Sequence, residues 1–364
     1  MDRRDFLRAT GAGSATLALP GAISNALAQA TGNPTWRVYE VTTRVEVLKP
    51  QGMTRVWVPL PLSTDTDYQK SLGNNWDAGT GMASGWKDAK YASTAVAAEW
   101  PEAAKPALEV KSRFAACDRA VDLSAKPGSQ RLDEASRRLY TMSTNLIPTD
   151  GIVRETALKV TKGANTDIEK ARAIYEWVVE NTYRDPKTRG CGIGDIKFIL
   201  ESGNLGGKCA DLNALFVGMA RSVGVPARDI YGVRVADSRL GYKSLGKSGD
   251  ITKAQHCRAD FYAAGYGWVP VDPADVRKVI LEEPPGKLAI DEPRVKAARE
   301  RLFGSWEGNW VGYNYGHDLV LPGSTRGPVG YLMYPQSETS EGRLDCLDPD
   351  NFKYTMVVRE ISLA

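Results

Sequence analysis

Apolar and polar residues alternate with a period of two over residues 36–47. Tyr39, Val41, Val45 and Val47 share one side, and Glu40, Arg44 and Glu46 share the other. A half-buried strand carries this pattern, because successive side chains point to opposite faces. Residues 55–62 predict a second strand; Pro59 and Pro61 cannot donate to a ladder, which places it at a sheet edge. Leu108, Val110, Phe114 and Ala116 mark a third. Between the second and third, residues 63–106 are rich in Gly, Ala, Ser and Asp, with Trp76, Trp86 and Trp100, and they read as an irregular excursion. The period then lengthens. Short helices are predicted at 135–144 and 153–161, and a longer one at 166–180. Thr166 and Glu169 stand at capping-box spacing, and Ala171, Ile174, Tyr175 and Val178 fall on one face. In residues 210–223, Leu212, Leu215, Phe216, Met219 and Val223 form a continuous stripe that Gly224 and Pro226 end. Strands return at 230–235, 256–262 and 266–272, the last two joined by Ala263-Ala264-Gly265. A charged surface helix is predicted at 291–303. Residues 306–364 have a strand-and-loop texture and end in a strand at 354–361.

Composition narrows the classes. Lys and Arg number 47 against 44 Asp and Glu, with no block of like charge, which argues against a nucleic-acid footprint. The chain holds two histidines, His256 and His317, too few for a His-rich metal site. No apolar run reaches the roughly 18–20 residues of a bilayer span. Arg3-Arg4-Asp5-Phe6-Leu7-Arg8, the mildly apolar residues 9–27 and Ala28-Gln29-Ala30 read in order as a twin-arginine export signal and its cleavage site. Residues 1–30 are therefore a removed address, and the mature chain is expected in the bacterial periplasm. Behind it, residues 31–130 are expected to form a β domain, 131–280 a catalytic core and 281–364 a C-terminal extension packed on that core. The five cysteines are Cys117, Cys191, Cys209, Cys257 and Cys346. None is spaced C-x-x-C, which argues against a structural zinc, and a chain folded in the cytosol before export is expected to need no disulfide.

The chemistry centres on Gly206-Gly207-Lys208-Cys209, which opens the apolar helix. A thiol at a helix N-terminus meets the positive end of the helix dipole and unpaired N–H groups, which favour the nucleophilic thiolate. The two glycines are expected to let substrate approach the backbone. The alternative is a small buried residue on a core helix. Along the strand that follows, His256, Arg258, Asp260 and Tyr262 share one face, and Cys257, Ala259, Phe261 and Ala263 share the other. If Tyr262 pairs with Tyr266, the same register sets His256 opposite Asp272, a carboxylate able to orient the imidazole. His317-Asp318 is the rival pair.

Gly207-Lys208-Cys209, then Gly224-Val225-Pro226-Ala227-Arg228, His256 and Gly267-Trp268-Val269-Pro270-Val271-Asp272-Pro273 resemble the transglutaminase-like superfamily. Tyr175-Glu176-Trp177-Val178 and Tyr183 resemble its preceding helix, and the resemblance spans about residues 165–275. It implies a papain-like thiol fold with Cys209 as nucleophile, His256 as base and Asp272 as orienter. The whole is expected to be α+β: a papain-like transglutaminase core with an N-terminal antiparallel β domain and a C-terminal strand-rich extension. One departure concerns substrate: members often carry an aromatic and an acidic residue just after the histidine, where Cys257, Arg258, Ala259 and Asp260 stand here. The implied activity is cleavage or transfer of an amide acyl group from a peptide, protein or cell-wall substrate, with no cofactor and no metal. Alternatives are a cross-linking transglutaminase and a non-catalytic peptide or cell-wall binding module. A zinc site of Cys191, Cys209 and His256 lacks compact ligand spacing.

Overall fold

The computed structural model describes residues 35–102 and 105–362; the export signal expected at 1–30 lies outside the described residues. Two-residue pairings apart, the chain opens with strands β1 (Arg37–Val47), β2 (Thr54–Pro59), β3 (Gln69–Asp77), β4 (Met82–Lys87), β5 (Thr94–Trp100) and β6 (Ala107–Ala116). Helices α1 (Glu134–Leu139), α2 (Gly151–Val160), α3 (Asp167–Asn181), α4 (Ile196–Ser202) and α5 (Cys209–Ser222) follow. Then come β7 (Ala227–Arg234), β8 (Gln255–Ala263), β9 (Gly267–Val271), α6 (Pro273–Glu282), α7 (Pro293–Arg301), β10 (Trp310–Asn314), β11 (Gln336–Thr339) and β12 (Phe352–Ile361). The class is α+β.

The helical region and the middle strands make one core. β9, β8, β7 and β10 form an antiparallel sheet in that order. Every residue of α5 is buried. Its Leu212, Leu215, Phe216 and Met219 share a cluster with Ala259 and Phe261 of β8 and with Ile174 and Val178 of α3. Truncating a fully buried Phe such as Phe216 typically costs about 3–5 kcal/mol. The capping box at Thr166 and Glu169 is formed, so α3 enters this core at a fixed point.

The two ends of the chain build the flanking β layers together. β12 pairs antiparallel with β1 from Val38↔Ile361 to Val47↔Phe352, and β1 also pairs with β6. β11 pairs with β2, which pairs with β5. A cluster of Tyr39, Val41, Phe114, Val233, Val311 and Tyr313 joins the β1–β6 sheet to the core sheet.

Three features differ from the sequence expectation. Residues 63–106 contain β3, β4 and β5 instead of an irregular excursion; β3 and β4 are largely exposed, so no apolar alternation marked them. β2 is interior, between β11 and β5. Pro59 ends β2, and its last partner there is Ala95, whereas pairing to β11 stops at Trp57, so the missing N–H breaks no ladder. The α6 helix falls in a stretch, 273–290, to which the sequence pattern assigns no element. Its start was nonetheless written in Asp272-Pro273, an N-cap followed by Pro at the first helical position.

Candidate active site

Cys209 is the first residue of α5 and is 3% exposed. The turn before it is tied down by Asp211, whose buried carboxylate accepts from the amides of Lys208 (2.9 Å), Ile193 (3.0 Å) and Gly194 (2.9 Å). The paired glycines make room for this packing. A Cβ on Gly207 would lie 2.5 Å from Asp211 Cβ, and one on Gly206 would lie 2.3 Å from the Tyr183 ring. Their missing side chains leave room for neighbouring side chains of the chain itself.

His256 and Asp272 meet, but not as cross-strand partners. The hairpin closes at Ala263↔Gly267, and Val271 pairs with Ala259, a register two residues away from the expected one. Gly265 and Gly267 both have positive φ (85° and 79°), so the turn sits one residue later than Ala263-Ala264-Gly265. Asp272 lies past the strand as the N-cap of α6. From there its Oδ2 accepts from His256 Nε2 at 2.7 Å, while its Oδ1 accepts from the Asp275 amide at 3.0 Å and from Asn213 Nδ2 at 3.2 Å. A shift of two leaves every side chain on its expected face, which is why the pair survives the wrong register. The His256 carbonyl is held by Trp310 Nε1 at 2.8 Å.

The electrostatics separate the charges of this cluster. The neighbouring Cys191 and Cys257 thiols draw the Cys209 thiol well below its ordinary range; burial opposes this, and His256 adds to it. The Cys191 thiol is pushed up by the adjacent Cys209 and by burial, and the Cys257 thiol by burial and the same neighbour. Cys209 is thus the acidic member of the three. For His256, burial and Arg234 favour the neutral ring, but Asp275 and Asp272 outweigh them and its pKa is raised. With Nε2 given to Asp272, Nδ1 is the nitrogen left for proton exchange. Burial raises Asp272 itself, and Asp275 adds to this, against the pull of His256. Asp275 is held ionised by Arg234, whose Nη2 donates to its Oδ1 at 2.5 Å. Cys209 and His256 both border a cleft of about 890 Å³.

Residues 154–273 match the family profile of the transglutaminase-like superfamily. The chain belongs to the transglutaminase-like superfamily. An uncharacterized protein of Haemophilus influenzae is 35% identical over 347 residues, 89% of this chain and 92% of that one. A candidate cysteine protease from Cytophaga hutchinsonii has a similar structure, with a TM-score of 0.56 at 14% identity, covering 91% of this chain and 92% of that one. The periplasmic domain of TgpA from Pseudomonas aeruginosa gives a TM-score of 0.34 at 13% identity over 69% of this chain and 93% of that one.

Within this transglutaminase-like core the remaining sequence candidates fall as follows. His317 pairs with Asp229 (Nε2 to Oδ1, 2.6 Å) and not with Asp318, and both are buried. Cys191 borders the cleft, and its Sγ donates to the Gln255 carbonyl at 3.2 Å. Cys257 is fully buried in the core cluster. Cys117 is buried elsewhere, its thiol pushed up to about 11 by burial. All five cysteines are free. The ligand atoms of His256, Asp272 and Asp275 lie within 4.8 Å of one another. Two guanidiniums already serve these carboxylates, Arg234 at Asp275 and Arg258 Nε 3.9 Å from Asp272, an arrangement that disfavours a metal cation.

Sequence reasoning missed Asp211, Asn213 and the Arg234–Asp275 pair. Asn213 is fully buried; its Nδ2 reaches both the Cys257 carbonyl (2.8 Å) and Asp272. The signal was present: two polar residues in the first turns of a helix with no wet face need internal partners.

Proposed function

We propose that the protein is a cysteine-dependent amide hydrolase, with Cys209 as nucleophile, His256 as proton carrier and Asp272 as its orienter. The observation that carries this reading is geometric: Cys209 opens α5, the His256 ring is held by Asp272 at 2.7 Å, and both border one cleft. The electrostatics agree, lowering the thiol and raising the imidazole. Both shifts favour a thiolate–imidazolium pair.

The Cys209 thiolate attacks the amide carbonyl carbon, forming a C–S bond and a tetrahedral oxyanion. In the first turn of α5 the Ala210 amide donates to the Cys191 carbonyl (2.9 Å), and those of Asp211 and Leu212 donate to the Lys208 carbonyl (3.1 and 3.0 Å). The Cys209 amide is the one assigned to the oxyanion. His256 Nδ1–H protonates the leaving nitrogen as the C–N bond breaks. The neutral ring then takes a proton from water, which attacks the thioester and expels the thiolate. Asp272 holds the ring throughout.

Water is the preferred acceptor. The cleft lining is dominated by cations, which disfavour the protonated amine a cross-linking transglutaminase would need to bring in. With the export signal at residues 1–30, the site of action is the periplasm.

Turnover of peptide amides by wild type against Cys209→Ala tests the reading. Complete loss in the variant, with the fold intact, is expected. Equal turnover by the two proteins would end the thiol mechanism.

A further inference from the structure

We propose that the cleft over Cys209 selects acyl donors bearing carboxylates, and that the substrate class is an acidic peptide. The inference rests on the amide-hydrolase reading and adds the substrate's charge.

Seven Lys and Arg side chains line the cleft, against a single carboxylate, that of Asp250. The whole chain is nearly balanced in charge, so composition alone does not produce this bias. Part of it is already neutralised: Arg234 is held by Asp275, Arg189 by Asp345, and Arg184 and Lys278 share Glu282. Lys208, Lys247 and Lys253 make no ion pair with a carboxylate among the described residues. Lys208 immediately precedes Cys209, and Lys247 and Lys253 are exposed in the segment between β7 and β8. Asp250, which feels both Lys247 and Lys253, offsets one of these three, so a net positive charge remains in the cleft among the described residues.

Another part of the lining is different in kind. Leu347, Pro349, Phe352 and Tyr354 come from the C-terminal segment and give the cleft an apolar wall. A peptide whose carboxylates alternate with small apolar side chains matches both kinds of lining, whereas a uniformly charged polymer would leave the apolar part uncovered. Clefts lined by one sign of charge focus the field and can raise association rates by about 10–10³-fold. Exposed lysines such as Lys247 and Lys253 act on encounter, and added salt weakens them.

The test uses the full chain and two alkylating reagents that differ in charge, iodoacetate and iodoacetamide, with the labelled thiol located by peptide mapping. The ratio of the two rates at Cys209, normalised to that of N-acetylcysteine, is expected to exceed unity by about tenfold at low salt and to fall as salt rises. Lys247→Gln/Lys253→Gln is expected to remove most of the excess. This arm separates the lysines from His256, whose own charge also attracts iodoacetate. An N-acetylated hexapeptide of alternating Glu and Ala is expected to slow labelling of Cys209 by iodoacetamide, and its Gln counterpart is not. A normalised ratio near one overturns the proposal. So does a ratio unchanged in the double variant, equal protection by both peptides, or protection by dextran sulfate without protection by the Glu peptide. If Cys209 labels first but shows no charge preference, the substrate class alone is wrong. If Cys209 is not the reactive thiol, the hydrolase reading fails and takes this one with it.

Discussion

The protein buries two histidine–carboxylate pairs that are nearly the same in local geometry. His256 Nε2 lies 2.7 Å from Asp272 and His317 Nε2 lies 2.6 Å from Asp229, and all four residues are at most 3% exposed. Their surroundings differ. His256 borders the cleft beside a cysteine at a helix N-terminus. His317 is packed edge-on to Tyr91 and Tyr231, and the Tyr231 hydroxyl donates to Asp229 at 2.7 Å. Burial pushes the Asp229 carboxyl up, but His317 outweighs it and the group stays ionised. A histidine–aspartate contact is thus not a site by itself. It becomes one where the free ring nitrogen faces a nucleophile that substrate can reach.

The largest effects should separate the two pairs. His256→Ala is expected to lower kcat/KM on the order of 10⁴-fold or more per folded molecule. His317→Ala is expected to leave kcat per folded molecule normal. Each variant leaves a buried carboxylate without its histidine, so each is expected to lose stability by about 3 kcal/mol, and only the activity per folded molecule separates the two pairs. Activity measurements paired with thermal unfolding check both. Activity lost in His317→Ala and kept in His256→Ala would exchange the assignments.

Asp272→Asn should cost less than removing the histidine, about 10²–10⁴-fold in kcat, because the nucleophile remains and only the orientation and charge of the ring are disturbed. Steady-state kinetics on the folded variant measure it.

Asn213→Ala sharpens the comparison: Asn213 donates to Asp272 as Tyr231 donates to Asp229 in the other pair. Asn213 touches no reacting atom; it positions Asp272 through its 3.2 Å contact. A loss of about 10–100-fold in kcat with KM little changed is expected. The alkaline limb of the pH–rate profile should shift as well. That limb reports loss of the His256 proton, whose pKa lies above the ordinary imidazole value, so a less well-placed Asp272 should move it to lower pH. A purely structural role would leave the limb in place.

How far the sequence exposed this site follows from what each residue's signal depends on. Cys209 was legible because its position is local: a glycine pair, then an apolar stripe at helical spacing. His256 and Asp272 were legible through strand alternation, which tolerates a register wrong by two. Asn213, Asp275 and Arg234 were not, because their partners lie 59, 19 and 41 positions away. The same reasoning applies to the fold. The core helices α3 and α5 announce themselves by period, whereas β3 and β4 are exposed strands without alternation. The pairing of β1 with β12 joins residues more than 300 positions apart, which no local pattern encodes.

The smallest effect concerns the neighbouring thiol. Cys191→Ala removes the neighbour that most lowers the Cys209 thiol, so the Cys209 pKa should rise and its alkylation in mild acid should slow by a few-fold, with the alkaline rate unchanged. Rates measured at two pH values test it.

The central claim, that Cys209 is a thiolate paired with the His256 imidazolium, is tested most directly by the pH dependence of iodoacetamide labelling at each cysteine, read by peptide mapping. Because the Cys209 thiol lies well below its ordinary value, the account predicts that Cys209 labels first and fast at about pH 6, where ordinary thiols near 8.5 are protonated, and that His256→Ala moves its curve toward higher pH. A Cys209 that titrates like a free thiol, or labels after Cys191 or Cys257, would contradict it.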